Sequence, residues 1–190
     1  MAEDTRLVIL LRSLDAQQIK MAQLVTQEAI RQGVSPRLAV AIAMAESSLG
    51  LNKSDGTSGE IGMMQVLPST GKLFGYSPAD LRVLEKNIEA GVKVLKGELE
   101  RFKDDPMQEA LAVSAYNTGP DTVLNRKLKP STKEYVARVN SYGGFDKPKT
   151  EGQQAPASPA ATPEAPAANK PVSAADYETD RKSTRLNSSH

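Results

Sequence analysis

Ala39–Gly50 reads AVAIAMAESSLG. Seven apolar residues run without a break into one acid, Glu46, and the chain then turns to Ser-Ser-Leu-Gly. Upstream, Gly33 stops the preceding helical run. Ser35 stands at an N-cap position with Pro36 at the first helical position, so a helix is expected from Pro36 to near Gly50. On a helical wheel Leu38, Ile42, Ala45 and Leu49 share a narrow arc, and Glu46 lies at its edge, about 80° from Leu38. The carboxyl is therefore half inside the apolar face. It also sits in the last turn, where the negative end of the helix dipole disfavours a second negative charge. Desolvation and dipole both push a carboxyl pKa upward, which is what a general acid needs near neutral pH.

Helical periodicity extends outward on both sides, and strand alternation is hard to find. Leu14–Arg31 reads as a helix, and the segment before it reads as a separate helix or a continuation. Residues 51–61 (LNKSDGTSGEI) are loop by composition. A short helix follows Pro68, and Ser77-Pro78 opens another. Leu84–Phe102 is strongly amphipathic, with Ile88, Val92, Leu95 and Leu99 spaced by three and four. Asp105-Pro106 starts the next helix, which Gly119-Pro120 ends. A last helix covers Thr132–Ser141, and the domain stops at Gly143-Gly144. From Lys147 to about Ala175 the chain is Pro, Ala, Thr, Gln and Glu, too poor in apolar surface to offset the entropy of ordering, so a disordered tail is expected. The final DRKSTRLNSSH shifts composition again and reads as translated linker, foreign to the fold.

Composition removes several classes of function. Residues 1–146 hold 18 basic and 18 acidic side chains, so the folded part lacks the positive field of a nucleic-acid binder. A local basic cluster, Arg126, Lys127, Lys129, Lys133 and Arg138, reads either as a solvated helix face or as a surface that meets an anionic polymer such as a cell wall. Cys is absent and the one His is His190. Thiolate chemistry and an internal His base are therefore excluded, which leaves carboxylates, hydroxyls, amides and Lys. The most apolar run, Leu7–Leu11, is too short for a secretory core, and no stretch approaches the length of a membrane span. No signal peptide is visible in this chain.

Two further segments gain meaning beside Glu46. In GEIGMMQVLPST (Gly59–Thr70) glycines permit close backbone approach, Gln65 offers an amide, and Met63 and Met64 offer soft apolar contact. In AVSAYNTGP (Ala112–Pro120) a phenol and an amide, Tyr116 and Asn117, stand at a helix end. Each alone reads as ordinary packing or capping. In this order the segments resemble the catalytic domain of lytic transglycosylases of the soluble-transglycosylase (SLT) type. That family reads E-S, then S…G-x-x-G-L-M-Q-x-x-P-x-T, then N-I-x-x-G, then A-Y-N-x-G-P, then Y-V. Glu46-Ser47 matches the first. Gly59, Gly62, Met64, Gln65, Pro68 and Thr70 match the second. Asn87, Ile88 and Gly91 match the third, Ala115, Tyr116, Asn117, Gly119 and Pro120 the fourth, and Tyr135-Val136 the last. Met63 stands where Leu is usual, Thr118 where Ala is usual, and Glu60 where a small residue is common.

The resemblance implies an all-α, lysozyme-like single domain. With the composition of the two ends, this makes residues 1–15 an N-terminal helix or extension, 16–146 the transglycosylase domain, and 147–190 the tail expected to be disordered, with 180–190 expected to be non-native sequence. It implies cleavage of the β-1,4 bond between N-acetylmuramic acid and N-acetylglucosamine in peptidoglycan, with formation of a 1,6-anhydro sugar. Glu46 is the implied catalytic acid. Ser58 (or Thr57), Met64, Gln65, Tyr116, Asn117 and Tyr135 are the implied substrate-binding residues: Met64 and Gln65 as cleft wall, Tyr116 close to Glu46, and Tyr135 lining the cleft from the last helix. Glu60 is a candidate second acid, whose use would make the protein a muramidase-type hydrolase instead. A reading from another class is a non-catalytic peptidoglycan-binding module of a secretion or phage assembly. No cofactor or metal is implied. The implied partners are glycan strands, with the tail as a tether to an envelope-spanning or phage apparatus, and the implied place of action is the periplasm or cell envelope, or a phage virion.

Overall fold

The computed structural model describes residues 5–52, 55–125, 127–143 and 145. The Pro/Ala-rich tail, residues 180–190 included, lies outside them, as does Arg126 of the basic cluster. Among the described residues the secondary structure is helical, with a single isolated antiparallel bridge between Ile61 and Val66. The order is α1 (Thr5–Arg12), α2 (Ala16–Gln32), α3 (Pro36–Ser47), α4 (Pro68–Leu73), a 3₁₀ turn (Asp80–Arg82), α5 (Leu84–Arg101), α6 (Gln108–Thr118), α7 (Pro120–Leu124) and α8 (Pro130–Gly143).

α3 is the central element. Arg37 through Ala43 are all buried, because α2, α8 and α1 pack around it. Its small residues, Ala39, Ala41 and Ala43, let those neighbours come close. α2 opens on a capping box: Asp15 accepts from the Gln18 N–H while the Gln18 side chain accepts from the Asp15 N–H. That box separates α2 from α1, which is a helix of its own packed on α3 and α8, with Leu10 buried in the core and Leu14 after it. α2 ends at Gly33, which is left-handed at φ 73°. The helix from Pro36 opens with Pro at its first position, but the Ser35 hydroxyl makes no cap bond.

Two sequence boundaries move and one helix is added, for identifiable reasons. α3 stops at Ser47, earlier than Gly50, because Ser48 and Leu49 turn left-handed at φ 53° and 57°. α6 begins at Gln108, since Asp105 is taken up by a turn in which its carboxylate accepts the Met107 N–H at 2.7 Å. Gly119-Pro120 ends α6 as expected but also starts α7, with Pro120 at its first helical position, an element the sequence pattern did not disclose.

The second body of the fold is α5, α6 and α7. α5 packs on α2 and α6, and a small cluster of Phe102, Ala112, Ala115 and Val123 joins α6 to α7. A buried ion pair ties the two bodies: the Arg37 Nη2 on α3 donates to both carboxylate oxygens of Glu109 on α6, at 2.9 and 3.0 Å, and Nη1 donates to the Gly143 carbonyl of α8 at 3.3 Å. Breaking such a pair from one side costs about 3 kcal/mol or more, so it fixes how α3, α6 and α8 meet. Glu46 stands at the end of α3, where the two bodies face each other.

Candidate active site

Glu46-Ser47 divides two tasks between neighbouring side chains. Ser47 is buried; its hydroxyl donates to the Met63 carbonyl at 2.8 Å and accepts the Gly50 N–H at 2.8 Å, which stitches the end of α3 to the following loop. Glu46, on the adjacent face, is half-buried and opens onto a cleft of about 240 Å³. Behind it, the Tyr135 hydroxyl from α8 donates to Glu46 Oε1 at 2.6 Å. Burial pushes the Glu46 carboxyl from its ordinary value near 4.5 up to about 7; the Tyr135 hydrogen bond and the Arg138 charge pull it down, and the Glu60 charge adds to the rise. Desolvation is the dominant cause, as the wheel suggests. Burial also raises both the Tyr135 and the Tyr116 hydroxyls well above the usual phenol range, with the Glu46 charge adding to each. Both phenols therefore stay protonated and act as donors.

The near wall comes from the Gly-rich loop. Ile61 and Val66 exchange two backbone hydrogen bonds of 3.0 Å, closing a tight turn over residues 62–65. Asn87 on α5 saturates that turn from below: its Oδ1 accepts the Met64 N–H at 2.8 Å, and its Nδ2 donates to the carbonyls of Ile61 and Leu81 at 2.8 and 2.9 Å. Gly91, one turn on, lets Met64 sit directly against the helix; a Cβ there would fall 2.6 Å from Met64 Cγ. Gln65 is held left-handed at φ 46°, with its Nε2 donating to the Gly62 carbonyl at 2.8 Å, and it lines the cleft. Strained backbone at a non-glycine residue persists only where its surroundings over-determine it, and here the turn does so.

The loop before this turn adds Gly56, Thr57 and Glu60 to the cleft lining. Glu60 Oε2 accepts the Ser58 N–H at 3.0 Å, and the Gly56 N–H donates to the Glu60 carbonyl at 2.8 Å, so the loop folds around its own acid. On its outer side Asp55 is clamped by the Arg82 guanidinium through two bonds of 3.1 and 2.9 Å. The far wall is α6 and the start of α7: Ala115, Tyr116, Asn117, Gly119 and Pro120. The Tyr116 hydroxyl donates to the Met64 carbonyl at 2.7 Å and so bridges the two walls.

Of the residues singled out by sequence, Glu46, Gln65, Tyr116, Asn117 and Glu60 come together at this cleft. Three do not take the places expected of them. Met64 is fully buried, with its side chain packed on Gly91, so it is core and only its carbonyl touches the site, through Tyr116. Ser58 is exposed and outside the lining, whereas Thr57, the alternative, lies within it. Tyr135 is 3% exposed and supports Glu46 from behind instead of lining the cleft. Tyr116 lies near Glu46, but its hydroxyl is committed to Met64.

Two lining residues escaped the sequence reading. Val94 and Glu98 both come from α5. Glu98 is buried and accepts from Arg101 Nε at 3.1 Å. It follows Leu95 by three positions on the apolar face of α5, so an acid on an apolar stripe, the signal that marks Glu46, marks this residue too. Arg138, read in the sequence only as part of a basic cluster, is a further participant, through its charge and its place against the Tyr135 ring.

Among known structures the chain is similar to the lytic transglycosylase Slt of Pseudomonas aeruginosa, solved as an inactive mutant with Gln in place of Glu. The two are 26% identical with a TM-score of 0.55; the match covers 64% of this chain and 23% of that one, so this chain spans under a quarter of that relative's length. The sequence profile of the transglycosylase SLT domain matches residues 23–138, which takes in α3, both cleft walls and Tyr135, and the chain belongs to that family, with its lysozyme-like all-α fold.

Proposed function

We propose that the protein is a peptidoglycan lytic transglycosylase, a glycan lyase that cleaves the β-1,4 bond between N-acetylmuramic acid and N-acetylglucosamine and leaves a 1,6-anhydro-muramoyl end. The observation that carries this reading is the half-buried acid Glu46, whose pKa burial raises to about 7 so that it can both give and take a proton near neutral pH, fixed by a 2.6 Å bond from Tyr135 and facing a cleft. Neutral Glu46 donates its proton to the glycosidic oxygen as the bond to C1 breaks. The substrate's own N-acetyl carbonyl oxygen closes on C1. Glu46, now a carboxylate, takes the proton from the muramoyl C6 hydroxyl, whose oxygen displaces the acetamide at C1. The proton count closes and no water is consumed.

The chain's own groups suit both halves. Burial holds Glu46 neutral for the first step, and the Tyr135 hydroxyl stabilises the carboxylate for the second. Gln65, Thr57 and Asn117 offer amide and hydroxyl groups to the sugar from opposite walls. Membership of the SLT family and likeness to a lytic transglycosylase support the reading. Such a substrate places the protein's work in the periplasm or cell envelope, or at a phage virion. Among the described residues no helix is long and apolar enough to cross a membrane. The Pro/Ala-rich tail is our candidate for a tether to an envelope-spanning or phage apparatus.

Hydrolysis is the second reading, because Glu60 lines the same cleft and its charge is felt at Glu46. Mass spectrometry of the products from purified sacculi separates the two: a water-borne product is about 18 Da heavier than the anhydro form. The expected result is the anhydro product from the natural protein and none from Glu46→Gln. Binding to sacculi with no soluble product at any pH would overturn catalysis and favour a binding module.

A further inference from the structure

α8 presents two side chains to the end of α3, one turn apart. Tyr135 is buried and bonds Glu46. Arg138, three residues on, is exposed, and its guanidinium carbon lies 5.5 Å from the centroid of the Tyr135 ring. Residues three apart share a helix face, so the helix register itself builds this stack. A cation over the negative face of an aromatic ring is held by the ring's quadrupole. Placed there, Arg138 clamps the ring from the solvent side and draws electron density from the phenol, which makes its O–H a better donor.

We infer that Arg138 is a positioning residue: through its stack on Tyr135 and by its own charge, it holds the phenol hydroxyl on Glu46 and readies that carboxylate to receive the C6 hydroxyl proton. The inference rests on the reading of Glu46 as acid and then base. The charged and titratable groups that act on Glu46 are Tyr135 and Arg138 from α8, Tyr116 from α6 and Glu60 from the loop, and Glu98 from α5 lines the same cleft, bonded to Arg101. They fall into two opposed sets. Burial and Glu60 favour the neutral acid, whereas Tyr135 and Arg138 favour the carboxylate. A group that must give a proton and take one back within a turnover needs both. Because Arg138 is the exposed member, it is also the one that salt can weaken.

The test uses Arg138→Gln, which removes the charge, and Arg138→Lys, which keeps it. The Glu46 carboxyl is titrated directly by carbon-13 NMR in the substrate-free protein, and kcat for release of soluble glycan from purified sacculi is followed against pH. In Arg138→Gln the Glu46 midpoint is expected to rise by about half a pH unit, with kcat several-fold lower. Arg138→Lys is expected to restore the midpoint. Raising salt from about 0.05 M to about 0.5 M screens Glu60 in both proteins and Arg138 in one, so the natural protein's midpoint should rise relative to that of Arg138→Gln. An unmoved midpoint in Arg138→Gln, or a Lys variant displaced as far as the Gln variant, overturns the inference. The NMR arm needs no turnover: a midpoint that follows Arg138 in a protein inactive on sacculi keeps the Arg138–Tyr135–Glu46 coupling and overturns its use in the proposed reaction, whereas an unmoved midpoint in an active protein overturns the coupling alone.

Discussion

Tyr135 and Glu46 are 89 residues apart in the chain and 2.6 Å apart in space. The bond is between a phenol that stays protonated and an acid whose burial would otherwise hold it neutral. A hydrogen bond to an ionised acceptor contributes about 1.5–3 kcal/mol, and here it is strongest once Glu46 has lost its proton. Tyr135→Phe should therefore move the Glu46 midpoint upward and lower kcat by about 10–100-fold, the same free energy expressed as rate. KM for glycan should change little, because Tyr135 lies behind the acid and outside the cleft lining. A Phe variant with natural kcat, measured on sacculi at neutral pH, would remove Tyr135 from the mechanism.

Glu46 also leaves a mark on stability. Its folded pKa, about 7, lies above the ordinary 4.5, so between those values the folded state binds more protons than the unfolded one. The stability it contributes is therefore whole below about pH 4.5 and is lost as pH rises through 7, a loss on the order of 3 kcal/mol. Glu46→Gln carries no such charge. It should melt near the natural protein at acid pH and above it at pH 8, while releasing no soluble glycan at either. The natural protein's rate should fall on the alkaline side with a midpoint near 7, because the acid must hold its proton. Thermal melts of both proteins across pH 4–8 check the first expectation, and a rate–pH profile checks the second.

Met64 separates a core role from a binding role. Truncation of a fully buried Met costs about 2–5 kcal/mol, and here it would also loosen the turn whose carbonyl receives Tyr116. Met64→Ala should lower the melting temperature by several degrees, with the activity loss recovered in part at lower temperature. A cleft-wall methionine would behave oppositely, with KM raised and stability untouched.

How much of this was legible in the sequence follows from where each signal resides. α3 and Glu46 were legible because Pro36, the apolar arc and the acid at its edge all lie within one helix. α5 was legible for the same reason. Met64 was misread because a soft apolar side chain beside glycines looks alike in a cleft wall and in a core; the difference lies in Gly91, on another helix. Ser58 and Thr57 could not be told apart, since the loop's path depends on Glu60 folding back to the Ser58 N–H and on the outer Asp55–Arg82 clamp. α7 was hidden because Pro after Gly marks a stop and a start equally well. The Tyr135 bond and the Arg37–Glu109 pair join distant segments through side chains, which no local periodicity reports.

Glu60 is the residue at which the two proposed outcomes, anhydro product or hydrolysis, can be told apart. Its carboxylate faces the cavity but also accepts the Ser58 N–H, which spends one oxygen on holding the loop. Its charge raises the Glu46 pKa. If that electrostatic effect is its contribution, Glu60→Gln keeps the loop bond through the amide oxygen and removes the charge. The Glu46 midpoint then falls, the alkaline limb of the rate–pH profile moves to lower pH by a fraction of a unit, and the product remains the anhydro sugar. A base for water would behave differently: its Gln variant would lose any hydrolysed product about 18 Da above the anhydro form while the Glu46 midpoint still fell. Product masses and the position of the limb, read from one set of digests, therefore assign Glu60 to one role or the other.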